Sequence, residues 1–269
     1  MISNKEKILA HYEEYTAKGG EDSRSTASRS AGLEFHYTKK ILGDYIRKNH
    51  NVFEVGCGTG YYVMHFADKC AEYTGIDLFP HHIEIFQNKI NVAGFKNVSC
   101  RVGDATNLEG VVDSGYDIVL CFGPMYHLPP EGRESVFSEC ARICKPGGII
   151  AFSFINKIGA YLAACLHDEW REVYPNKNAN NHILNLGTDD NKPGVFFFTT
   201  PEDMEEAAAR HGLLKVRSSG LNFFNLTAIA DKMDDEKFEA YLEILNEAVK
   251  LESCTGMSEH ALLICEKKC

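Results

Sequence analysis

The sequence has no pair of cysteines at the CxxC spacing used by redox and zinc sites. Its ten cysteines are scattered, and the first segment, MISNKEKILAHYEEY, has no apolar core of the kind found in a secretory signal peptide. We therefore expect a cytoplasmic protein with reduced thiols. Cys140 and Cys144 lie one helical turn apart in an apolar segment, so we interpret them as packing residues and predict no metal site.

Two other features are also missing. No apolar run reaches the roughly 18 residues that a membrane-spanning helix requires, so we expect a soluble protein without a membrane partner. Positive charge is scarce, because 28 Lys and Arg residues face 38 Asp and Glu residues, giving a formal net charge of -10. A net negative charge repels a phosphate backbone, which argues against a nucleic acid partner and favours a small-molecule substrate.

From Asn51 onward, short apolar runs alternate with helical segments, which is the pattern of βαβ units around a mostly parallel sheet. Strands are predicted over 51–55, 72–77, 97–102, 116–122, 148–154, 213–218 and 261–265. Helices are predicted over 4–16, 30–48, 60–69, 80–93, 131–144, 157–171, 201–212 and from Asp234 onward, with a polar loop over 17–29. The length suits one α/β domain with insertions.

A glycine-rich segment, Glu54-Val55-Gly56-Cys57-Gly58-Thr59-Gly60, joins the first predicted strand of this unit to the next helix. Glycine lets the backbone turn sharply there and approach a ligand closely. A dinucleotide-binding loop has the spacing G-x-G-x-x-G, whereas this segment has G-x-G-x-G followed by the bulky Tyr61. The spacing therefore argues against a nicotinamide-dependent oxidoreductase.

Carboxylates end the next two predicted strands. Asp77 closes the second strand, 17 residues after Gly60, and can accept both hydroxyls of a ribose. Asp104, in the sequence Val102-Gly103-Asp104-Ala105, follows the third strand and can take the exocyclic amine of an adenine. Because parallel strands carry their carboxyl ends to one edge of a sheet, we expect these groups to meet in one crevice.

The chain resembles the class I (Rossmann-like) S-adenosylmethionine-dependent methyltransferases. The resemblance covers 51–154 and is carried by EVGCGTG, GID, GDA, YDIVLCFGPMYHL and KPGG in the family's order and spacing. It implies a doubly wound, seven-stranded, mostly parallel sheet with an antiparallel last strand and helices on both faces. It also implies S-adenosyl-L-methionine as cofactor and S-adenosyl-L-homocysteine as product. On this basis 1–50 is an N-terminal helical lid, 51–154 the cofactor-binding core, and 155–269 the last two strands with substrate-shaping insertions after strands 5 and 6.

The same resemblance assigns roles to individual residues. Gly56, Cys57, Gly58, Thr59 and Gly60, with Glu54 before them, would lie along the methionine part of the cofactor. Asp77 would hold the ribose, Leu78 and Phe79 would flank the adenine, and Gly103, Asp104 and Ala105 would hold its edge. Cys121, Phe122 and Gly123 would form the floor near the sulfonium. Tyr12, Tyr15 and Arg24 would close the lid, with Arg24 or Arg29 meeting the methionine carboxylate.

The substrate should meet the methyl group where the fourth strand ends, beside Tyr126 and His127. A histidine that titrates near neutral pH can take a proton from a hydroxyl or an amine, and Tyr126 can orient the substrate. Packing roles for both stay open. Gly123-Pro124-Met125-Tyr126 lacks the Asn or Asp side chain found in amide and adenine N-methyltransferases, so those activities are disfavoured. The Phe residues that would line a substrate pocket are Phe196, Phe197, Phe198, Phe223 and Phe224.

We therefore expect methyl transfer to a small molecule by in-line displacement. The alternatives are an RNA or protein methyltransferase and a non-catalytic module that binds the cofactor. The sequence identifies neither the acceptor nor the attacked atom.

Overall fold

A computed structural model describes residues 3–18, 20–168, 170–188, 193–223 and 229–268. The strands in this part of the chain are β1 (Asn51–Val55), β2 (Glu72–Asp77), β3 (Val98–Val102), β4 (Tyr116–Cys121), β5 (Cys144–Ile155), β6 (Leu213–Gly220) and β7 (His260–Lys267). They form one sheet in the order β3-β2-β1-β4-β5-β7-β6. β1 to β5 pair in parallel, and β7 runs antiparallel to both β5 and β6. The predicted seven-stranded fold with an antiparallel last strand is confirmed.

Helices cover both faces of the sheet. Those described are α1 (Asn4–Ala17), α2 (Gly20–Ser23), α3 (Arg29–Leu42), α4 (Val63–Phe66), α5 (Pro80–Ala93), α6 (Pro124–His127), α7 (Pro130–Ile143), α8 (Lys157–Leu166), α9 (Lys177–Asn181), α10 (Pro201–Arg210) and α11 (Asp235–Ala248). Short 3-10 helices lie at Ala67–Lys69 and Glu252–Met257, and a π-helical turn at His182–Leu186. No helix of the described ranges has the length and hydrophobicity to cross a bilayer.

The element boundaries differ from the prediction in several places. The helix expected to reach Lys48 ends at Leu42, where Gly43 caps it. The predicted loop at 17–29 contains α2, and the helix expected to reach residue 171 ends at Leu166. β5 begins at Cys144, ahead of the glycine pair expected to start it, because Cys144 already pairs with Tyr116 of β4.

Side chains along the central strands point alternately to the two faces of the sheet, so the apolar core has two parts, one on each face. In β4, Ile118 and Leu120 pack into one apolar cluster, while Val119 and Cys121 pack into the other. Side chains in a strand point alternately to opposite faces, so both faces of β4 must be covered by helices. The consequence for function is that only the strand ends and the loops after them remain open to a ligand.

Helix α8 packs closely on the loop before β7. A Cβ built on Gly159 would lie 2.0 Å from the carbonyl oxygen of Ser258, whereas one on Gly256, in the same loop, would meet nothing within 4 Å. The position of α8 therefore depends on residue 159 being glycine, because any side chain there would meet the Ser258 backbone.

We predict that Gly159→Ala lowers the free energy of unfolding by about 1–3 kcal/mol, because backbone must shift to admit the methyl group. Urea unfolding of both variants measures the effect, with Gly256→Ala as the control that should stay close to wild type. Equal stability of the two variants would contradict this packing.

Candidate functional site

The glycine loop after β1 lies directly against the end of β4. Gly56 has φ of +80°, and a Cβ at this position would lie 2.2 Å from the carbonyl oxygen of Phe122. The amides of Gly56 and Cys57 both donate to the carbonyl of Ile76, at 2.8 and 2.9 Å. Only glycine permits both this backbone conformation and this approach, so the loop is fixed between the ends of three strands.

Asp77 is the polar centre of this region. Its Oδ2 accepts the amide of Gly58 at 2.9 Å, and its Oδ1 accepts the amide of Phe79 at 2.9 Å. The Nδ1 atom of His82 lies 3.2 Å from Oδ1, and Nε2 of the same ring lies 3.1 Å from the Thr16 hydroxyl of α1. The carboxylate thus joins the glycine loop, the start of α5 and, through His82, helix α1.

A cavity of about 100 Å³, here called the strand-end cavity, opens at this edge of the sheet. The sequence-predicted residues that line it are Tyr12, Arg24, Gly56, Gly58, Asp77, Leu78, Phe79, Gly103, Asp104, Ala105, Phe122, Gly123, Tyr126 and His127. Sequence analysis missed several of its neighbours, among them Ile8, Leu9, Glu21 and His82. Of the residues predicted to converge here, 56–60, 77 and 104, the structure brings Gly56, Gly58, Asp77 and Asp104 to this opening.

Two residues that were predicted to contact the cofactor lie away from this cavity: Gly60 of the glycine loop and Cys121 at the end of β4. Gly60 faces the ring of Phe86, and a Cβ there would approach that ring to 2.4 Å. Cys121 is fully buried in the apolar cluster that also contains Cys140. Alternation along β4 explains the second case, because it turns Cys121 into the core and leaves Phe122 at the cavity.

Four further predicted residues lie beside or behind the cavity. Glu54 is 1% exposed and accepts a hydrogen bond of 2.7 Å from the Tyr73 hydroxyl. Burial raises the pKa of Glu54 to about 8. Cys57 and Thr59 line a small cleft behind the glycine loop, and Tyr15 lines a second cavity.

That second cavity, here called the aromatic cavity, has a volume of about 440 Å³. Its ring-bearing lining residues are His11, Tyr12, Tyr15, Tyr126, Tyr161, Trp170, Tyr174, Phe196, Phe198 and His260. It shares Tyr12, Glu21, Arg24 and Tyr126 with the strand-end cavity, so these four residues form the junction of the two.

The phenylalanines predicted for a substrate pocket divide between several places. Phe196 and Phe198 line the aromatic cavity. Phe197 lines a third cavity, Phe223 belongs to the core, and Phe224 lies outside the described residues. Sequence analysis missed the contribution of α8, where Ala160 and Ala164 line the aromatic cavity one helical turn apart.

Charged side chains meet at the junction. Arg24 donates to Oε2 of Glu34 at 2.9 Å and lies 3.9 Å from Oε1 of Glu21. Burial alone would lower the pKa of Arg24, but Glu34 and its other neighbours raise it above its ordinary value. The other candidate, Arg29, lies elsewhere and pairs with Asp235. Of the two arginines, only Arg24 reaches the junction.

One carboxylate oxygen at the junction has no partner. Oε2 of Glu21 is buried and accepts no hydrogen bond in the structure. Buried carboxylate oxygens usually have a partner, so an unpartnered one in a residue that lines two cavities marks Glu21 as a candidate functional residue. The sequence placed Glu21 in a polar loop and gave no signal for this role.

The protonation behaviour of His127 differs from the expectation of a base that titrates near neutral pH. Its Nδ1 lies 2.9 Å from the carbonyl of Val195, which requires Nδ1 to carry the proton, and its Nε2 therefore accepts the Tyr12 hydroxyl at 2.7 Å. Burial lowers the pKa of His127 to about 4. This contradicts an imidazole that titrates near neutral pH, because the surrounding protein disfavours its charged form. Here the ring positions Tyr12.

Comparison with known proteins agrees with this geometry. A family described as "Methyltransferase domain" matches residues 52–148. The ubiquinone biosynthesis O-methyltransferase of Paracidovorax citrulli (strain AAC00-1) is 33% identical over 124 residues, which cover 46% of this chain and 51% of that protein. Residues 52–148 are therefore a methyltransferase domain, and the fold is that of the class I S-adenosylmethionine-dependent methyltransferases.

Two more relatives extend the similarity beyond the core. The protein of the same name from Azoarcus sp. (strain BH72) is 28% identical over 182 residues, covering 66% of this chain and 70% of that one. The structure of geranyl diphosphate C-methyltransferase from Streptomyces coelicolor A3(2), solved with S-adenosyl-L-homocysteine, has a TM-score of 0.54 at 14% identity. It covers 86% of this chain and 78% of that chain, and this likeness concerns the fold alone. The match to the first relative spans only about half of that protein.

We predict that the methyltransferase loses stability through His127 as the pH falls from about 6.5 to about 4. In this range the unfolded chain protonates the histidine while the folded chain does not, so the loss amounts to about 3 kcal/mol at the acid end. His127→Gln removes this contribution, and urea unfolding between pH 4 and 7.5 measures it. His81→Gln, an exposed histidine, is the control. Parallel pH profiles of His127→Gln and wild type would show that the imidazole is not held neutral.

Proposed function

We propose that this chain transfers the methyl group of S-adenosylmethionine, bound in the strand-end cavity, to a hydroxyl oxygen of a small molecule in the aromatic cavity. One observation carries the proposal: the two cavities adjoin and share Tyr12, Glu21, Arg24 and Tyr126. A methyl donor on one side of this junction faces an acceptor on the other. The two sequence relatives from Paracidovorax citrulli and Azoarcus are both named O-methyltransferases, which supports oxygen as the attacked atom.

The chemistry of the strand-end cavity suits the cofactor. Oδ2 of Asp77 accepts the amide of Gly58 and keeps a second lone pair for a ribose hydroxyl, whereas Oδ1 already faces the amide of Phe79 and Nδ1 of His82. Leu78 and Phe79 would lie against the adenine, with Asp104 and Ala105 at its edge. Gly58 leaves room for the methionine part, whose carboxylate Arg24 would meet.

The N-terminal lid must open to admit the cofactor. Pockets for ligands of this size have volumes of roughly 300–1,000 Å³, several times the 100 Å³ of the strand-end cavity. α1 is held over the cavity by Lys5 on Asp104 at 3.0 Å, Tyr12 on His127 and Thr16 on His82. These are single polar contacts, so we propose that α1 and α2 of the predicted 1–50 lid swing outward on binding, while α3 stays packed in the core, 51–154 hold the cofactor and 155–269 shape the acceptor site.

Methyl transfer requires the acceptor oxygen, the methyl carbon and the sulfur in line, and the sulfonium loses its positive charge as the new bond forms. Tyr12 and Tyr126 stand at the junction, and burial raises the pKa of both. Both phenols therefore stay protonated and can orient the acceptor by hydrogen bonds. Because they stay protonated, neither phenol can remove the proton of the acceptor hydroxyl.

Glu21 is our candidate for that base. Glu21 lines both cavities, and its Oε2 has no hydrogen-bond partner. A carboxylate placed there can take the proton that the acceptor hydroxyl loses as the carbon–oxygen bond forms. Arg24, 3.9 Å from the other oxygen, keeps the carboxylate facing the junction.

We predict that Asp77→Ala weakens S-adenosylmethionine binding at least tenfold, because the ribose loses its acceptor and the glycine loop loses the bond to Gly58. Isothermal titration measures the affinity, and Asp68→Ala, an exposed carboxylate, is the control. Circular dichroism checks that the variant is folded. A folded Asp77→Ala protein with wild-type affinity would remove the ribose assignment, and preferential binding of a nicotinamide cofactor would overturn the function.

We predict that Glu21→Gln lowers kcat by about 100-fold or more while S-adenosylmethionine affinity changes little, since general-base contributions are typically 10²–10⁴-fold. The assay follows S-adenosylhomocysteine formation with the best acceptor from a panel of phenols and aliphatic alcohols. Glu13→Gln, on the exposed side of α1, is the control. Weaker cofactor binding with unchanged kcat would show that Glu21 binds the cofactor instead.

A further inference from the structure

A third cavity lies apart from the methyl-transfer site. It has a volume of about 270 Å³ and lies between α7, the π-helical turn at 182–186, the start of α8 and helix α10. We call it the α7–α10 cavity. It shares only Phe198 with the aromatic cavity and no lining residue with the strand-end cavity. Whatever it binds does not overlap the cofactor.

Arg133 of α7 lines this cavity without a bonded partner. The residue is 9% exposed, and its buried Nη1 has no hydrogen bond. Its side chain forms no hydrogen bond or ion pair with any residue in the described ranges. A buried cation without a partner is costly, and arginines in such places usually hold an anion or are paired with a carboxylate.

Nearby acids do not supply that partner. Glu134 is already engaged by Arg210 at 2.6 Å and by His211 at 2.7 Å. Asp203 lies on the exposed first turn of α10, beyond ion-pair distance from Arg133. Burial lowers the pKa of Arg133 and these acids partly offset it, but a guanidinium stays protonated at any physiological pH.

A second cation faces the same space. Lys157, the first residue of α8, lines the cavity, and its ammonium group has no bonded partner among the residues that the structure places. The lining therefore contains three cations, Arg133, Lys157 and Arg210, and two acids, of which Glu134 is neutralised by Arg210. The excess positive charge is notable in a chain whose net charge is -10.

We propose that the α7–α10 cavity binds a small oxyanion, a carboxylate or a phosphate group, between Arg133 and Lys157. A planar guanidinium matches two oxygens of such a group, and the lysine adds a point charge from the α8 side. Its volume of about 270 Å³ suits a metabolite-sized anion. The proposal does not depend on the methyl-transfer assignment. The α7–α10 cavity shares no lining residue with the strand-end cavity and only Phe198 with the aromatic cavity.

The test is titration of the full chain with inorganic phosphate and, separately, with succinate, each against sodium chloride at matched ionic strength. We expect saturable binding of at least one probe to wild type, at least tenfold weaker binding to Arg133→Met, and severalfold weaker binding to Lys157→Met. Arg171→Met, an exposed arginine, is the control. Binding of phosphate alone assigns a phosphate ligand, and binding of succinate alone assigns a carboxylate.

Two results would overturn the proposal. One is the absence of saturable binding of either probe to folded wild type. The other is wild-type affinity in Arg133→Met, or in Lys157→Met if the first variant does not fold. S-adenosylmethionine titration of the same variants separates this site from the methyl-transfer site, since neither substitution touches the strand-end cavity.

Discussion

The geometry of the candidate site depends on the carboxylate of Asp77. One oxygen holds the amide of Gly58 and the other holds the amide of Phe79, so the glycine loop and the start of α5 are fixed to the same group. His82 extends this connection to Thr16 of the lid. Because hydrogen bonds to a charged acceptor are about twice as strong as neutral ones, a single charge can hold loop, helix and lid together. The ribose contact proposed above adds to a carboxylate that the fold has already oriented.

The junction between the two cavities depends on a second set of charges. Glu34 of α3 bonds Arg24, which in turn lies near Glu21 of α2, and His260 at the start of β7 lies 3.5 Å from the other oxygen of Glu34. Burying these groups costs desolvation energy that each pairing only partly returns. Their arrangement fixes where the free oxygen of Glu21 points. It therefore links the lid to the sheet at the place where methyl transfer is proposed.

Much of the sheet and the strand-end residues could be predicted from the sequence, because strand periodicity and the convergence of parallel strand ends are local and general constraints. The helix α2 could not. It has only four residues, so no periodic pattern marks it, and its ion pair joins Asp22 to Lys89, 67 positions along the chain. The tautomer and low pKa of His127 arise from burial and from the carbonyl of Val195, which no local signal reveals. The burial of Cys121 follows from strand alternation, because Leu120 and Cys121 point to opposite faces of the sheet and both faces are covered.

The segment 196–199 lines both the aromatic cavity and the α7–α10 cavity, and its backbone is bonded to α6 and β5. The amide of Phe197 donates to the carbonyl of Tyr126 at 2.8 Å, and that of Thr199 donates to Ile155 at 3.1 Å. The amide of Lys157 donates in turn to Thr199 at 2.7 Å. A shift of this segment would therefore move Tyr126 at the junction and Lys157 at the α7–α10 cavity together. The wall between the acceptor site and the proposed anion site is a shared structural element, so the two sites are mechanically connected although their ligands would never touch.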